Sequence, residues 1–134
     1  MPQILSEIMA ENITVVDVDD TLEDVECILA GHKYSCVPVL DPDGHCFGII
    51  TSNDILKSHM LRRNMKQVRA WEICSHLLIE VDPSLSVHDA AILMIKNNIH
   101  HLVVSQNADI RGIVSSIDLL AAYYAANCSG PDAP

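Results

Sequence analysis

Two ten-residue stretches of the chain follow the same pattern: residues 47–56 read FGIITSNDIL, and residues 111–120 read RGIVSSIDLL. In each, a glycine at the second position is followed by apolar residues typical of a short strand, then by a hydroxyl residue, with an aspartate three positions after that hydroxyl. A hydroxyl followed by an acidic side chain at this spacing indicates the start of a helix, because the hydroxyl caps a backbone N–H group. Each stretch therefore predicts a strand that runs directly into a helix.

The chain repeats itself beyond these two stretches, which is the sequence signature of a duplicated fold. When the second half is aligned with the first, Val16 matches Val81 and Val39 matches Val104. One residue drops out of the second half in the loop after Leu40, and the quoted stretches then match in turn. Loops tolerate such a change of length better than strands and helices do. We therefore expect both copies to hold the same elements in the same order.

Each copy predicts the element order β-α-β-β-α. A short β-rich run precedes an amphipathic helix, two strands joined by a turn follow, and a second helix begins at the hydroxyl residue of the quoted stretch. We predict an α/β (α+β) fold of two such repeats, residues 4–62 and 63–124, with a disordered tail at 125–134. Because neither repeat covers both faces of its own small sheet, we expect the repeats to pack sheet to sheet about a pseudo-twofold axis.

The charge balance limits the classes of partner. The chain carries 8 basic and 18 acidic residues, which gives a formal net charge of −10. Nucleic acids and anionic membranes are bound mainly through Lys and Arg, so we predict neither as a partner. The 5 cysteines are widely spaced and include no C-x-x-C pair. This pattern favours a reduced, cytoplasmic protein.

One segment departs from the acidic average. Five of the 8 Lys and Arg residues lie between Lys57 and Arg69. Apolar residues interspersed among them predict a connecting helix or helical linker. Two interpretations remain open: the basic side chains form a solvated linker face, or they form a basic edge that attracts an anionic ligand or an acidic partner.

The two quoted stretches, together with VPVLD at residues 37–41 and IHHLVV at residues 99–104, resemble the signature of the cystathionine-β-synthase (CBS) domain. The pattern of that family is a strand, a turn, a glycine-containing strand and a helix that starts at Ser/Thr-x-x-Asp. The resemblance covers residues 4–124. It implies paired repeats with clefts between them, dimers, and binding of adenosyl compounds such as AMP, ADP, ATP or S-adenosylmethionine.

The resemblance also implies which residues bind the ligand. Asp54 and Asp118 would accept hydrogen bonds from the ribose hydroxyls, and the hydroxyls of Thr51 and Ser115 would face a phosphate. Asn53, in the first motif, is a further ligand-binding candidate. The alternative is local, because a hydroxyl-x-x-Asp motif caps a helix whether or not a ligand is present. The two roles are compatible, since the hydroxyl can cap the helix while the carboxylate binds ribose.

A pair of histidines, His100 and His101, precedes the middle strand of the second repeat. The chain is similar there to the nucleotide-sensing gamma subunit of AMP-activated protein kinase, in which a His-Arg pair holds phosphate. The first repeat has Ser35 and Cys36 at the matching positions. The resemblance thus implies a better phosphate grip in the second repeat. The alternative is that both histidines are ordinary surface or core residues.

The strands that open each repeat supply the last candidates. By resemblance, the backbone around Thr14 and Ile79 would contact adenine, with an ordinary core strand as the alternative. The chain has no motif for a nucleophile, a phosphate-binding loop or a metal site. We therefore predict no enzyme activity, no catalytic residue, no metal and no required cofactor.

These observations predict a regulatory module. We expect a homodimer that binds an adenine nucleotide, AMP or a close relative, and that passes the signal to a regulated protein partner. The alternative is a scaffold that dimerises or docks on a partner without binding any nucleotide.

Overall fold

The computed structural model describes residues 2–9, 13–32, 34–76 and 78–127. The elements in chain order are a 3-10 helix at Leu5–Glu7, β1 Val16–Asp17, α1 Leu22–His32, β2 Cys36–Leu40, β3 Cys46–Thr51, α2 Ser52–Met60, α3 Ala70–Ile73, β4 Glu80–Val81, α4 Val87–Asn97, β5 His101–Gln106, β6 Asp109–Ser115 and α5 Ser116–Asn127. The order β-α-β-β-α occurs twice, with one short helix before each set. The predicted mixed α/β class is confirmed.

The two sheets pair their strands in the same register. β1 lies parallel to β2 with Val16 opposite Val39, and β4 lies parallel to β5 with Val81 opposite Val104. The third strand joins on the far side, so that the sheet orders are β1-β2-β3 and β4-β5-β6. Parallel neighbours need a crossover connection, which α1 and α4 provide. The sequence duplication is therefore a duplication of strand register as well.

The chain forms two compact units. The first unit contains the described residues of 13–78 and residues 108–110, and the second unit contains the described residues of 2–9, 79–107 and 111–127. The predicted repeats, 4–62 and 63–124, follow the duplication of the sequence, whereas the compact units follow a different division of the chain.

Two short helices account for this difference. In the second unit, Leu5 donates its backbone N–H to the carbonyl oxygen of Leu85 at 2.9 Å. In the first unit, Ala70 donates its backbone N–H to the carbonyl oxygen of Asp20 at 2.8 Å. In the alignment of the two repeats, Ala70 matches Leu5 and Asp20 matches Leu85. The helix that precedes each sequence repeat thus packs within the unit that the other repeat forms.

The predicted helical linker is wrong beyond Met60, where α2 ends. Arg62 has a left-handed backbone with φ 57°, and the N–H of Arg63 turns back to the carbonyl oxygen of Ser58 at 3.0 Å. The side chain of Asn64 then accepts a backbone N–H two residues further on, at 3.1 Å. Such local side-chain bonds compete with helical hydrogen bonding and stop the helix from continuing.

The end of the chain also differs from the prediction in part. Helix α5 continues to Asn127, so residues 125–127 of the predicted tail are helical. The remaining tail residues, 128–134, lie outside the described residues.

Each unit has its own apolar core, built from the strands and from one face of each helix. The first core contains Val16, Leu22, Val25, Leu29, Val37, Val39, Ile50 and Ile55, and the second contains Leu5, Val87, Ala90, Met94, Leu102, Val104, Val114 and Leu119. Aliphatic side chains suit strands that are buried on both faces, since burial removes apolar area from water along the whole strand.

Gly48 is required by a close approach of the chain to itself. Ile49 and Ser75 exchange two backbone hydrogen bonds, of 3.0 and 2.8 Å, which bring the segment after α3 against β3. A Cβ atom at Gly48 would lie 2.6 Å from the carbonyl oxygen of Ser75 and 2.9 Å from Sγ of Cys74. Backbone atoms held by two hydrogen bonds cannot move aside cheaply.

We expect Gly48→Ala to lower the free energy of unfolding by about 1–3 kcal/mol, because the new methyl group overpacks this contact. Gly31→Ala is the matched control: Gly31 lies in α1, and a Cβ atom there meets nothing within 4 Å. The control should raise stability by about 0.4–1 kcal/mol, since alanine restricts the unfolded chain. Urea unfolding followed by circular dichroism measures both changes, and an equal effect of the two substitutions would contradict the prediction.

Candidate functional site

The first candidate site lies where β3 ends and α2 begins. Thr51 is the N-cap of α2, and its Oγ1 accepts the backbone N–H of Asp54 at 3.3 Å. In return, Oδ2 of Asp54 accepts the backbone N–H of Thr51 at 2.8 Å and its hydroxyl at 3.0 Å. Both residues are half-buried. These reciprocal bonds fix the carboxylate of Asp54 at a helix start, where the helix dipole favours a negative charge.

The second unit repeats this arrangement where β6 ends and α5 begins. The backbone N–H of Ser115 donates to Oδ2 of Asp118 at 2.8 Å, and the backbone N–H of Asp118 donates to Oγ of Ser115 at 3.2 Å. The side chain of Asp118 is exposed. Both aspartates therefore serve as helix caps, as the local interpretation of the motif requires.

Capping leaves acceptor capacity on both carboxylates. An ionised carboxylate has two oxygens with about four acceptor positions. The cap bonds of Asp54 and Asp118 all use Oδ2. Oδ1 of each residue can accept hydrogen bonds from a ligand without breaking the cap, so capping and ligand binding are chemically compatible at both junctions.

The residues ahead of the middle strands are brought close to these junctions. Ser116 donates its backbone N–H to the carbonyl oxygen of His100 at 2.9 Å, and Ser52 donates to Ser35 at the same distance. His100 and Ser35 therefore occupy equivalent places, as the sequence alignment predicts. Their neighbours His101 and Cys36 follow on β5 and β2.

Electrostatics links each of these neighbours to the aspartate of its own unit. Burial lowers the pKa of His101, His100 lowers it further, and the negative charge of Asp118 acts against both. Burial raises the pKa of the Cys36 thiol to about 12, with Asp54 as the next contribution. At neutral pH, His101 is thus an uncharged imidazole and Cys36 an uncharged thiol.

The remaining predicted site residues occupy different surroundings. Asn53 is exposed in the first turn of α2. The hydroxyl of Thr14 donates to the phenolic oxygen of Tyr34 at 3.4 Å, and the ring of Tyr34 stacks on His32 with 5.3 Å between centroids. The structure brings Thr51 and Asp54 together, whereas Thr14 lies beside the stacked rings of Tyr34 and His32. The sequence did not predict this contact, because Tyr34 belongs to no motif.

Ile79 lies beside β5, where its carbonyl oxygen accepts the backbone N–H of Val103 at 3.0 Å. The residue at the matching place beside Thr14 is Pro38, which has no N–H to donate. The two strands that we predict to contact adenine therefore differ in their backbone bonding, and the difference follows from a single residue.

Asp54 also lines a cavity of about 220 Å³ within the first unit. The other lining residues are Lys57, Ser58, Arg63, Glu72 and Ile73. Sequence reasoning identified the basic segment that contributes Lys57 and Arg63, but the cavity depends on α2 ending at Met60, which periodicity did not predict.

The turn between β2 and β3 holds one further group of polar side chains. Asp41, Asp43 and His45 place one potential metal-binding atom each within 4.8 Å of one another. Oδ1 of Asp41 accepts the backbone N–H groups of Asp43 and His45 at 2.9 and 3.0 Å, so the group shapes the turn.

In the part of the chain that the structure describes, no helix is long and apolar enough to cross a membrane.

Comparison with known proteins identifies the family. The model of the CBS domain matches residues 5–60 and 70–125. The protein MJ1426 of Methanocaldococcus jannaschii is 28% identical over 89% of this chain and 90% of its own length. The CBS domain-containing protein YhcV of Bacillus subtilis is 24% identical over 86% of this chain and 81% of its own.

Solved structures agree in fold. The CBS domain pair of protein MJ0100, in complex with 5′-methylthioadenosine and S-adenosyl-L-methionine, superposes with a TM-score of 0.79 at 27% identity, covering 92% of this chain and 97% of that one. The hexameric CBS-CP12 protein from bloom-forming cyanobacteria gives 0.85 at 25% identity over 98% of this chain and 77% of that one. A homoserine O-acetyltransferase of Methanosarcina acetivorans matches 90% of this chain, but the match is only 22% of the enzyme.

We expect His101 to titrate below its ordinary pKa of 6.5 in the folded chain. His100→Asn should raise this pKa, because it removes the electrostatic effect of the neighbouring imidazole, and Asp118→Asn should lower it further. Two-dimensional NMR of the imidazole protons measures all three values. A His101 pKa at or above 6.5 in the unmodified chain would contradict the prediction.

The same shift makes stability depend on pH. Because the folded pKa lies below the unfolded one, the folded state disfavours the protonated imidazole. The contribution of neutral His101 to the free energy of unfolding is complete above about pH 6.5. It is lost as the pH falls below about 6.5 towards and through the lowered pKa of the folded state. His101→Asn should therefore make the free energy of unfolding depend less on pH below about pH 6.5.

Proposed function

We propose that this chain, which belongs to the CBS domain family, is a regulatory module that binds an adenosyl ligand. One observation carries the proposal: two helix starts, at matching positions of the repeats, present a capped and oriented aspartate with a carboxylate oxygen that the cap does not use. A charge-assisted hydrogen bond from a sugar hydroxyl to such an oxygen stabilises a complex by about 1.5–3 kcal/mol. The complex of the MJ0100 pair with two adenosyl compounds, at 27% identity, supports the ligand class.

The proposed roles follow the chemistry of each side chain. Asp54 and Asp118 accept the ribose hydroxyls at their respective junctions. Thr51, Asn53 and Ser115 lie in the same motifs and present polar groups towards the rest of the ligand.

The other predicted contacts belong to the two ends of the ligand. His100 and His101 donate hydrogen bonds in the second unit, and the backbone near Thr14 and Ile79 faces the adenine ring. AMP or a close relative is the proposed ligand, and the compounds bound to the MJ0100 pair belong in the same test series.

The proposed mechanism is a shift of population between two states of the module, read by a regulated partner protein. No chemical step is assigned to the chain, because the relatives with an enzymatic name extend far beyond the matched part. We retain the prediction that the module acts in the cytoplasm.

A homodimer is part of the proposal. Helix α2 exposes Leu56 and Met60 by 60% and 81%, and helix α5 exposes Leu120 by 63% and Tyr124 by 48%. Each pair lies at i, i+4 on one helix face, and the two pairs occupy matching positions of the repeats. Exposed apolar side chains at helical spacing suit a helix-to-helix contact between two copies of the chain. The same surface would serve the rival function, a scaffold without a nucleotide.

We expect adenosyl ligands, and not GMP, to raise the melting temperature of the chain. A ligand at a hundred times its Kd stabilises by about 2.7 kcal/mol, which is on the order of 10 °C for a domain of this size. Asp54→Asn and Asp118→Asn should each reduce the shift. Differential scanning fluorimetry with adenosine, AMP, ADP, ATP, 5′-methylthioadenosine and S-adenosylmethionine measures it.

Asp24→Asn is the matched control for Asp54→Asn. Asp24 forms the same reciprocal cap with Thr21 at the start of α1, at 3.4 and 3.2 Å. Asp24→Asn should lower the melting temperature of the ligand-free chain, because it removes a helix cap, while leaving the ligand-induced shift unchanged. No shift with any adenosyl compound at millimolar concentration would favour the scaffold.

We expect Met60→Lys and Leu120→Lys to weaken self-association, because each places a charge in an apolar contact. Ile95→Lys on α4 is the control, since Ile95 is equally exposed at 80% but lies on a different helix. Light scattering coupled to gel filtration measures the mass of each variant. A monomeric unmodified chain, or equal dissociation by the control, would contradict this contact.

A further inference from the structure

The second unit contains a pocket between the start of α4 and the last turns of α5, which we call the α4–α5 pocket. It has a volume of about 240 Å³. Its lining includes Gln3, Val87, His88, Ala122, Tyr123 and Ala126. The valine and alanine side chains and the tyrosine ring make the walls mainly apolar. No lining residue belongs to the helix-start motifs or to the strands that we predict to contact adenine.

The first unit covers the corresponding helix start with its own chain. His88 matches Glu23 in the alignment of the two repeats. The backbone N–H of Glu23 donates to the carbonyl oxygen of Met65 at 2.9 Å, and the side chain of Met65 packs against the first apolar core. One methionine residue therefore supplies both a hydrogen-bond acceptor and an apolar side chain at the start of α1.

The next contact along the chain is the same in both units. The backbone N–H of Leu22 donates to the carbonyl oxygen of Val68 at 3.0 Å. The backbone N–H of Val87 donates to the carbonyl oxygen of Gln3 at 2.9 Å, and these two residues match Leu22 and Val68 in the alignment. The starts of α1 and α4 are therefore held alike, and the surroundings of Glu23 and His88 can be compared directly.

The methionine contact is missing from the described part of the second unit. Among the described residues, the backbone N–H of His88 has no hydrogen-bond partner. Helix α5 continues through Ala126, whereas the matching Arg62 is left-handed, with φ 57°, and turns the chain towards Met65. The short side chains of Ala122 and Ala126, one helical turn apart, leave the pocket open beside His88.

The contact made by Met65 in the first unit indicates the chemistry of an occupant. An occupant needs a carbonyl oxygen for the N–H of His88 and, close to it, an apolar side chain for the pocket. At about 240 Å³ the pocket is smaller than the roughly 300–1,000 Å³ of sites that enclose a drug-sized ligand, and it suits one side chain. Methionine is unbranched and flexible, so it fills irregular apolar gaps well. A carbonyl beside such a side chain is a feature of a peptide.

Charge favours a basic peptide. The described part of the second unit has five carboxylates against two cations: Glu7, Glu80, Asp82, Asp89 and Asp118 against Lys96 and Arg111. Met65 itself lies in a basic stretch, between Arg63 and Lys66. Opposite charges around a contact speed association and select the partner. A basic segment with a methionine therefore complements the second unit both in shape and in charge.

We infer that the α4–α5 pocket binds a basic, methionine-containing peptide segment of a partner protein, in the way that the first unit binds its own Met65. The methionine side chain enters the pocket, and its carbonyl oxygen accepts the backbone N–H of His88. Binding there does not require the adenosyl ligand, because the pocket shares no residue with the helix-start motifs. It is also separate from the proposed dimer contact, since Ala122 lies two positions from Leu120 and from Tyr124, on a different face of α5.

Two-dimensional ¹⁵N NMR of the full chain tests the inference by titration with a synthetic peptide. The peptide has the sequence of residues 61–66, LRRNMK, with both ends blocked. We expect saturable shifts of the backbone amides of His88, Ala122 and Ala126, with the amide proton of His88 moving downfield as it gains an acceptor. The absence of saturable shifts at these residues with millimolar peptide would overturn the inference.

Two variant peptides separate the apolar contact from attraction between charges. The Met65→Gly peptide should bind at least about tenfold more weakly, because burial of the methionine side chain contributes most of the affinity. The Met65→Leu peptide should retain most of the affinity, since leucine is apolar and of similar volume. Equal affinity of the glycine peptide would show that the basic charges alone bind, and the pocket would then have no part in binding.

Two variants of the chain locate the binding site. Ala126→Met fills the pocket with a side chain of the chain itself and should weaken the peptide at least about tenfold. Ala125→Met is the matched control, because Ala125 is an exposed residue of the same helix outside the pocket lining, and methionine is a good helix former. An equal loss with both variants would contradict the inference. Shifts of the same amides when the chain alone is concentrated would assign the pocket to a second copy and would also overturn it.

Discussion

At the end of β3, Thr51 and Asp54 satisfy each other's backbone N–H groups, and Ser115 and Asp118 do the same at the end of β6. The first N–H groups of any helix lack partners within the helix, and a strand that runs straight into a helix must satisfy them within a few residues. The reciprocal cap does so with one hydroxyl and one carboxylate. It thereby sets the direction of the second helix in each unit and fixes the position of the aspartate.

The duplication preserved this junction while it changed the side chains around it. Strand registers, caps and the bond from Ser52 to Ser35 all recur in the second unit. The cavity residues do not, since the cations beside Asp54 have no counterparts beside Asp118. Two copies of one backbone thus carry unequal chemistry.

Much of the fold could be predicted from the sequence, because its determinants are local. Short β-rich apolar runs predicted the strands of both sheets, helical apolar patterns predicted the four long helices, and the motif residues predicted both caps. The exchange of the short helices was not predictable, because Leu5 and Ala70 carry no local signal of the unit in which they pack. The end of α2 depends on a left-handed Arg62 and on Asn64, whose effect on a helix depends on context. The cavity follows from that ending. The lowered pKa of His101 depends on burial, which a sequence motif does not report.

A carboxylate that already caps a helix loses little side-chain entropy when it binds a ligand. Because Oδ2 of Asp54 is already held by Thr51, the side chain has one orientation before any ligand arrives. Immobilising a free side chain on binding typically costs about 0.5–1.5 kcal/mol. The cap already immobilises the side chain of Asp54 in the folded chain, so ligand binding does not add this cost. A hydroxyl that bonds to Oδ1 leaves the cap intact, so the proposed ligand contact does not disturb the start of α2.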